Sequence, residues 1–325
     1  MKAMVLAAGF GSRFSPHSLK IPKPAFPFLN VPMGFHCFQF LKNSGVESLV
    51  INTHHLPEKI TELYKSQSQF NVEFSPEPDL ILGSSGGLKK AQSHFANENT
   101  LLLLNADEVI FTHSLQIISD LLEQHHREGN LATLLVTEHP EVGTKFGGVW
   151  VDSKNQIVGF GKTKPANAEK AYHFIGVQAL QSDVFNLIPE NKEQNIFYDT
   201  LQKAFQQGER ASVHPIDCHW FETGNLHDYL KATKMALQLL KENKTNITSL
   251  KSVLKTLAPE SDWLKNWGHD VWGDVSSKAT NSKFMGFSVI GKNVKLNNLE
   301  IENAVFHHGV QLNEKIIRED LVLPY

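Results

Sequence analysis

Residues 101–104 are four consecutive leucines. A strand with one wet face alternates apolar and polar residues, so this run needs cover on both faces, as a central strand of a layered α/β sheet has it. Its neighbours fit that demand. Lys2–Ala7 (KAMVLA) and Ser48–Thr53 (SLVINT) are short apolar runs, and Phe70–Phe74 reads as a further strand. Between them, Pro32–Asn43, Leu56–Ser66 and Ser114–His126 carry apolar residues at helical spacing, with Ile60, Leu63 and Tyr64 on one face of the second. The alternation predicts an α/β domain with a mixed, mostly parallel sheet covered on both faces.

From about Asn130 the pattern changes. LATLLV, FGGVWVD, QIVGFG and FIGVQAL are strands with few helices between them, and they extend the same sheet. Helices return at Ser182–Leu187, Phe197–Gln207 and Leu226–Glu242. The reading divides the 325 residues into a main domain over 1–243, a linker with a short helix over 244–283, and a small β-rich segment over 284–325. In that last segment short apolar steps alternate with Gly and Asn, and Ile290 and Leu296 stand six apart, a spacing compatible with coils of a left-handed β-helix whose period slips after Leu296.

The stretch after the first strand, LAAGFGSRFSPHSLKIPKP, concentrates glycine and positive charge. Glycines admit a ligand close to the backbone, and successive N–H groups form an anion nest. The dinucleotide fingerprint is excluded: its third glycine would fall on Phe14, and the second strand ends in Asn52, Thr53 and His54 with no acidic residue. The GK[ST] of a P-loop is absent too. Arg13 and Lys23, the latter flanked by Pro22 and Pro24, instead mark a polyphosphate cradle. With a net charge of −3, that positive site is local, and nucleic acid or an acidic membrane is no expected partner. Two distant cysteines, Cys37 and Cys218, and no long apolar leader or span predict a reducing, cytoplasmic setting.

The same stretch resembles the signature of the sugar-1-phosphate nucleotidyltransferases, the NDP-sugar pyrophosphorylases, roughly LAAGxGxRLxPLTxxxPKP. VINTHH, FSPEP followed by LGSSGGLKKA, LLLLNADEV, FGGVWVD, FIGVQAL and WFETGN follow in family order over residues 1 to about 240. The resemblance implies a Rossmann-like domain that makes an NDP-sugar and pyrophosphate from a nucleoside triphosphate and a sugar 1-phosphate. It assigns Arg13 and Lys23 to the triphosphate, and Ala8, Gly9, Gly11, Glu77, Gly83 and Ser85 to the nucleotide. Gly86, Gly147, Lys164 and Gly176 go to the sugar phosphate, and Asp107 and Glu222 to Mg²⁺. The C-terminal segment is similar to the extension of mannose-1-phosphate guanylyltransferases, which favours GTP with mannose 1-phosphate and allows a homo-oligomer built through that segment. A uridylyltransferase acting on a glucose- or muramate-type phosphate is the alternative.

One position departs from the pattern. Where the family writes W-x-D-x-G-T, this chain has Trp220-Phe221-Glu222-Thr223-Gly224-Asn225. Glutamate keeps the charge but moves the carboxylate outward by about 1.5 Å, one bond length. Mg²⁺ asks for near-ideal octahedral geometry, so the change shifts metal preference or slows turnover. It also leaves room for a sugar-nucleotide sensor without catalysis, as does the degraded E-K-P motif around Lys164. The implied reaction needs no general base, because a phosphate oxygen is already ionised, and the chain shows no nucleophilic Ser, Cys or His constellation.

The His54-His55, His125-His126 and His307-His308 pairs point apart or lie about 100° apart, which makes them poor chelators. Trp263, Trp267 and Trp272 stand at helix-like spacing and read as packing for the linker.

Overall fold

The computed structural model describes residues 1–41, 43–243, 247–268 and 270–324. Lys42 of the expected first helix, Lys244, where the expected linker starts, and the final Tyr325 lie outside the described residues, as do Thr245, Asn246 and His269. The chain forms two compact units, each gathered from separate stretches. One takes Met1–Gly9, Phe40–Ala106 and Leu115–Trp220; the other takes Phe10–Gln39, Asp107–Ser114 and Phe221–Tyr325.

The first unit is built on a nine-stranded sheet. Thr100–Asn105, the leucine run, pairs in parallel with Lys2–Leu6, which pairs in parallel with Ser48–Thr53, and that strand with Asn71–Pro76. The other side of Thr100–Asn105 takes the long antiparallel strand Lys170–Gln181. Gly148–Val151 and Ile157–Gly161 continue the sheet, and Ala132–Thr137 with Ala211–Pro215 branches from the same long strand. Leu101 to Leu104 are all at most 1% exposed, as cover on both faces demands. Pro57–Lys65 and Ile117–Glu128 are the helices expected near these positions. Because the strands around Lys2–Leu6 run in parallel, their carboxyl ends share one edge, where such sheets bind ligands.

Several helices come out differently. Among the described residues of the expected helix Pro32–Asn43, only a 3-10 turn, Met33–Phe35, and one α-turn, Phe38–Leu41, form. Phe35, His36, Phe38, Phe40 and Leu41 are all buried, so the segment has no polar face to run along water. Ser182–Leu187 is a 3-10 helix, and Phe197–Gln207 divides into a π-turn, Ile196–Leu201, and an α-turn, Gln202–Gln206.

In the second unit, parallel strands stack into coils. Partners lie 17 residues apart at first (Asp270 opposite Phe287, Lys283 opposite Glu300) and then 16 apart (Lys295 opposite Gln311, Val305 opposite Leu321). The coils therefore begin inside the stretch read as a linker, with Asp270–Asp274 preceded by the antiparallel strand Ser261–Trp263. The three tryptophans sit on this start: Trp263 meets Trp272 edge-on at 5.5 Å, and Trp267 stacks on Phe284 at 5.3 Å. Asn281, Asn298 and Glu314 turn equivalent corners with φ of 49°, 54° and 51°. Asparagine tolerates this left-handed region, which accounts for its frequency in the tail. Ile290, Val294, Leu296, Ile301 and Phe306 fill the interior of the coils. No described helix is long and apolar enough to cross a membrane.

Candidate functional site

In the second unit the glycine loop closes as a tight turn. Gly11 adopts φ +60°, and its carbonyl accepts a hydrogen bond from Phe14 N–H at 2.8 Å, starting the 3-10 turn Ser12–Phe14 that carries Arg13. Arg13 is exposed, whereas Phe14 is buried edge-on against Phe26 at 5.0 Å and Tyr229 at 5.8 Å. The Tyr229 hydroxyl, itself buried, donates to the Pro27 carbonyl. The turn is thus nailed down by its apolar residue while its guanidinium stays available to solvent.

Lys23 lies on the next 3-10 turn, Lys23–Ala25, and is only 8% exposed. Its ammonium donates to Asp107 Oδ2 at 2.6 Å and lies 5.8 Å from the centre of the Phe14 ring. Asp107 in turn is fixed by Thr223, whose hydroxyl donates to the Asp107 carbonyl at 3.1 Å. The structure therefore brings four sequence-predicted residues into one neighbourhood. Asp107 is tied to Lys23 directly and, through Thr223, to the Glu222 turn, and Gly224 joins Arg13 to it.

At Gly224 the fit is tight. A Cβ there would stand 2.4 Å from Glu222 Oε1 and 2.7 Å from Arg13 Nη1, so only glycine lets the carboxylate and the guanidinium converge on this point. Glu222 Oε1 accepts from Gly224 N–H at 2.7 Å. The extra methylene of glutamate is absorbed by folding the carboxylate back onto its own turn.

Among the described residues no three His, Cys, Asp or Glu side chains come together as a metal cluster. Asp107 and Glu222 nevertheless carry carboxylate oxygens of the hard kind that Mg²⁺ takes, an ion that commonly uses one or two carboxylates and completes its shell with water and phosphate. The residues fit the ion.

In the first unit a polar clamp organises the strand ends. Asn52, 2% exposed at the end of Ser48–Thr53, accepts from Ala7 N–H at 2.7 Å and donates to Glu77 Oε1 at 2.7 Å. Glu77 Oε2 accepts from Leu82 N–H at 2.8 Å, and the Glu77 carbonyl pairs with His54 Nδ1 at 2.6 Å. Glu77 is 1% exposed, and its carboxylate shapes the loop from 77 to 82. Ala8 and Gly9 follow directly from Ala7, buried and exposed respectively. Sequence reasoning missed Asn52; a lone amide at the end of an otherwise apolar strand was the signal that could have found it.

Gly83, Ser85 and Gly86 open the helix Gly83–Lys90. They pack on the 192–194 segment: Ser85 N–H donates to the Gln194 carbonyl at 3.1 Å, and Ile196 N–H donates to the Ser84 hydroxyl at 2.8 Å. Ser85 is fully buried. Gly147 and Lys164 are exposed, and a Cβ on Gly147 would meet the Tyr198 hydroxyl at 3.6 Å. Gly176, at φ +80°, falls where the pairing of Lys170–Gln181 with Ala132–Thr137 shifts register. Such bulges re-aim side chains beside functional sites.

A second group was not announced as a group by the sequence, although Phe146 and Trp220 open two of the quoted motifs. His139, Phe146, His173 and Trp220 form one ring cluster beside Gly147, with His173 4.1 Å from Trp220 and Phe146 5.4 Å from it. Burial, reinforced by the neighbouring His139, pulls the His173 imidazole down to about 4. The four rings come from separate stretches of chain, so no spacing announces them.

A model of the nucleotidyl transferase family matches residues 2–238 of this chain. A Synechocystis protein named UTP–glucose-1-phosphate uridylyltransferase is 29% identical over 251 residues, 73% of this chain and 63% of that protein. Mannose-1-phosphate guanyltransferase of Emericella nidulans is 30% identical over 271 residues, 81% of this chain and 69% of its own length. The chain thus spans just under two thirds of the first of these relatives. Among solved structures, UDP-glucose pyrophosphorylase complexed with UDP-glucose superposes with a TM-score of 0.61 at 16% identity, over 73% of this chain and 98% of that one. The inositol-1-phosphate CTP transferase of T. maritima gives 0.58 at 21% identity, over 70% and 90%. At such identities these likenesses speak to the fold.

Proposed function

Because this chain belongs to the nucleotidyl transferase family, we propose that it joins a sugar 1-phosphate to the α-phosphate of a nucleoside triphosphate, releasing pyrophosphate. The observation that carries the reading is the linkage of Lys23, Asp107, Glu222 and Arg13 through the Thr223–Gly224 turn. GTP with mannose 1-phosphate is the preferred pair, supported by the guanyltransferase name of the 30%-identical relative and by the coiled C-terminal strands. UTP with glucose 1-phosphate is the competing pair, supported by the name of the Synechocystis relative.

The chemistry asks for positioning and charge. An ionised oxygen of the sugar phosphate attacks the α-phosphorus, the bond to the β-phosphate oxygen breaks, and that oxygen leaves with the pyrophosphate; no proton has to move. The barrier lies in bringing two anions together and in the charge that grows on the leaving group. Arg13 and Lys23 serve the leaving side. Lys23, buried and paired with Asp107 at 2.6 Å, is ordered before a phosphate arrives, so little further ordering is required on binding. Lys164 neutralises the attacking phosphate. Ala8, Gly9, Gly11, Gly83 and Ser85 serve the nucleotide, as does Glu77, which shapes the loop from 77 to 82, while Gly86, Gly147 and Gly176 serve the sugar phosphate. Asp107 and Glu222 would hold Mg²⁺, which when bound supplies charge neutralisation at the α-phosphate.

A specific feature favours a second reading: Glu222 Oε1 is already satisfied by Gly224 N–H, as a carboxylate retired from metal binding would be. In that case the protein binds a sugar nucleotide without making one. The deciding experiment is pyrophosphate release with Mg²⁺ across four nucleoside triphosphates and a panel of sugar 1-phosphates. Release with one pair above the rest supports catalysis and names the substrates. Silence across the panel, with a sugar nucleotide still raising the melting temperature, overturns it in favour of the sensor. A Glu222→Asp variant with higher turnover than the parent marks a slowed enzyme.

A further inference from the structure

The geometry points to a second ligand site, for a small phosphorylated sugar, in a groove of the second unit that none of the candidate site residues above lines. The helix Leu226–Lys241 presents His227, Lys231 and Lys234 at steps of four and three, one face of an α-helix. All three are exposed, and all three line a cavity of about 260 Å³. Its floor is apolar: Leu230 is 7% exposed and Phe287 5% exposed. Asn303 and Glu319 complete the lining.

These last two belong to a built feature. Gly286, Asn303 and Glu319 turn equivalent corners of successive coils with φ of 65°, 52° and 46°. Asn303 Oδ1 accepts from Phe287 N–H at 3.3 Å and fills the place where a Gly286 side chain would sit, so a Cβ there would meet it at 2.2 Å. The coil corners are locked in register, and with them the wall opposite the basic helix face.

The chemistry of the lining selects its occupant. Two lysines and a histidine on one face suit a phosphate, and the first turn of a 16-residue helix adds its dipole to them. The nearest carboxylate of that turn, Asp228, is held by the Asn225 side-chain N–H at 2.8 Å. Glu319 repels a bare anion yet accepts hydrogen bonds from hydroxyls, and the apolar floor suits the C–H face of a sugar ring. Sites for drug-sized ligands run from about 300 to 1,000 Å³. A volume of about 260 Å³ therefore matches a hexose phosphate better than a whole sugar nucleotide.

The test is calorimetric titration of the full chain with glucose 6-phosphate, with inorganic phosphate and glucose as separate probes. The expected result is binding of glucose 6-phosphate at least about tenfold tighter than of either part, weakened roughly tenfold or more in Lys231→Ala/Lys234→Ala, the scale of one lost charged hydrogen bond. Both lysines are exposed, so the double variant should melt like the parent. Lys164→Ala should bind as the parent does. Undiminished binding in the double lysine variant, loss of binding in Lys164→Ala, equal affinity for inorganic phosphate and the sugar phosphate, or no binding at all would each overturn the assignment.

Discussion

A single methyl group at Gly87 tests the clamp at the strand ends. A Cβ there would lie 2.7 Å from Glu77 Oε1 and 2.9 Å from Asn52 Nδ2. Carbon packs at about 3.5 Å, so the carboxylate must retreat by roughly 0.5 Å or more. It has little room, being 1% exposed and held on both oxygens by N–H donors at 2.7 and 2.8 Å. Losing one hydrogen bond to a charged acceptor costs about 1.5–3 kcal/mol. Against this, Gly87 sits within the helix Gly83–Lys90, where alanine is worth about 1 kcal/mol over glycine. The contact outweighs the propensity, and Gly87→Ala should lose about 0.5–2 kcal/mol of stability. In a domain of 150–250 residues that is a melting point lower by a few degrees, at about 2–4 °C per kcal/mol. Thermal and urea unfolding read it directly. Because the damage passes through the carboxylate, Gly87→Ala and Glu77→Gln should be non-additive by more than about 0.5 kcal/mol. A Gly87→Ala protein as stable as the parent, or strictly additive variants, would refute the argument.

Other consequences are open to measurement. Arg13→Ala should lower turnover about 10²–10³-fold in pyrophosphate release, the scale seen when a preorganised charge partner is removed, while the melting point stays put because Arg13 is exposed. His125 is fully buried, and burial first, then His126, pulls it from 6.5 down to about 4. The unfolded chain binds that proton first, so stability falls as pH drops from about 6.5 to about 4, by up to about 1.4 kcal/mol per pH unit. In urea unfolding against pH, His125→Gln should lose this slope. His17 behaves oppositely: its hydrogen bond to Asp320 at 2.9 Å raises its pKa. That contribution is full below about 6.5 and is lost as pH rises through the folded value. Asp320→Asn should abolish it, an effect of at most about 1 kcal/mol because Asp320 is 42% exposed.

What the sequence could and could not announce follows from the range of each interaction. Leu101–Leu104 states its own burial, because the demand for cover on two faces is local to the strand. The asparagine corners of the coils are legible for the same reason, since a left-handed residue is a property of one position. The coils themselves were placed too late: Trp263, Trp267 and Trp272 look helical in spacing, yet two of them lie on paired strands and the third is set by stacking on Phe284. Pro32–Asn43 misled through a helical period in a segment buried on nearly all sides, where no polar face exists for the period to separate. The glycine loop's basic character was readable from residue types, but the partner of Lys23 lies 84 residues away, and only the fold chooses it. Asn52 is the clearest case. Its amide joins Ala7 to Glu77, segments 45 residues before it and 25 after. The link exists because parallel pairing sets three strand ends side by side. A residue of this kind carries no periodic signal, since what it answers to is the edge of a sheet, and that edge exists only once the strands have been ordered.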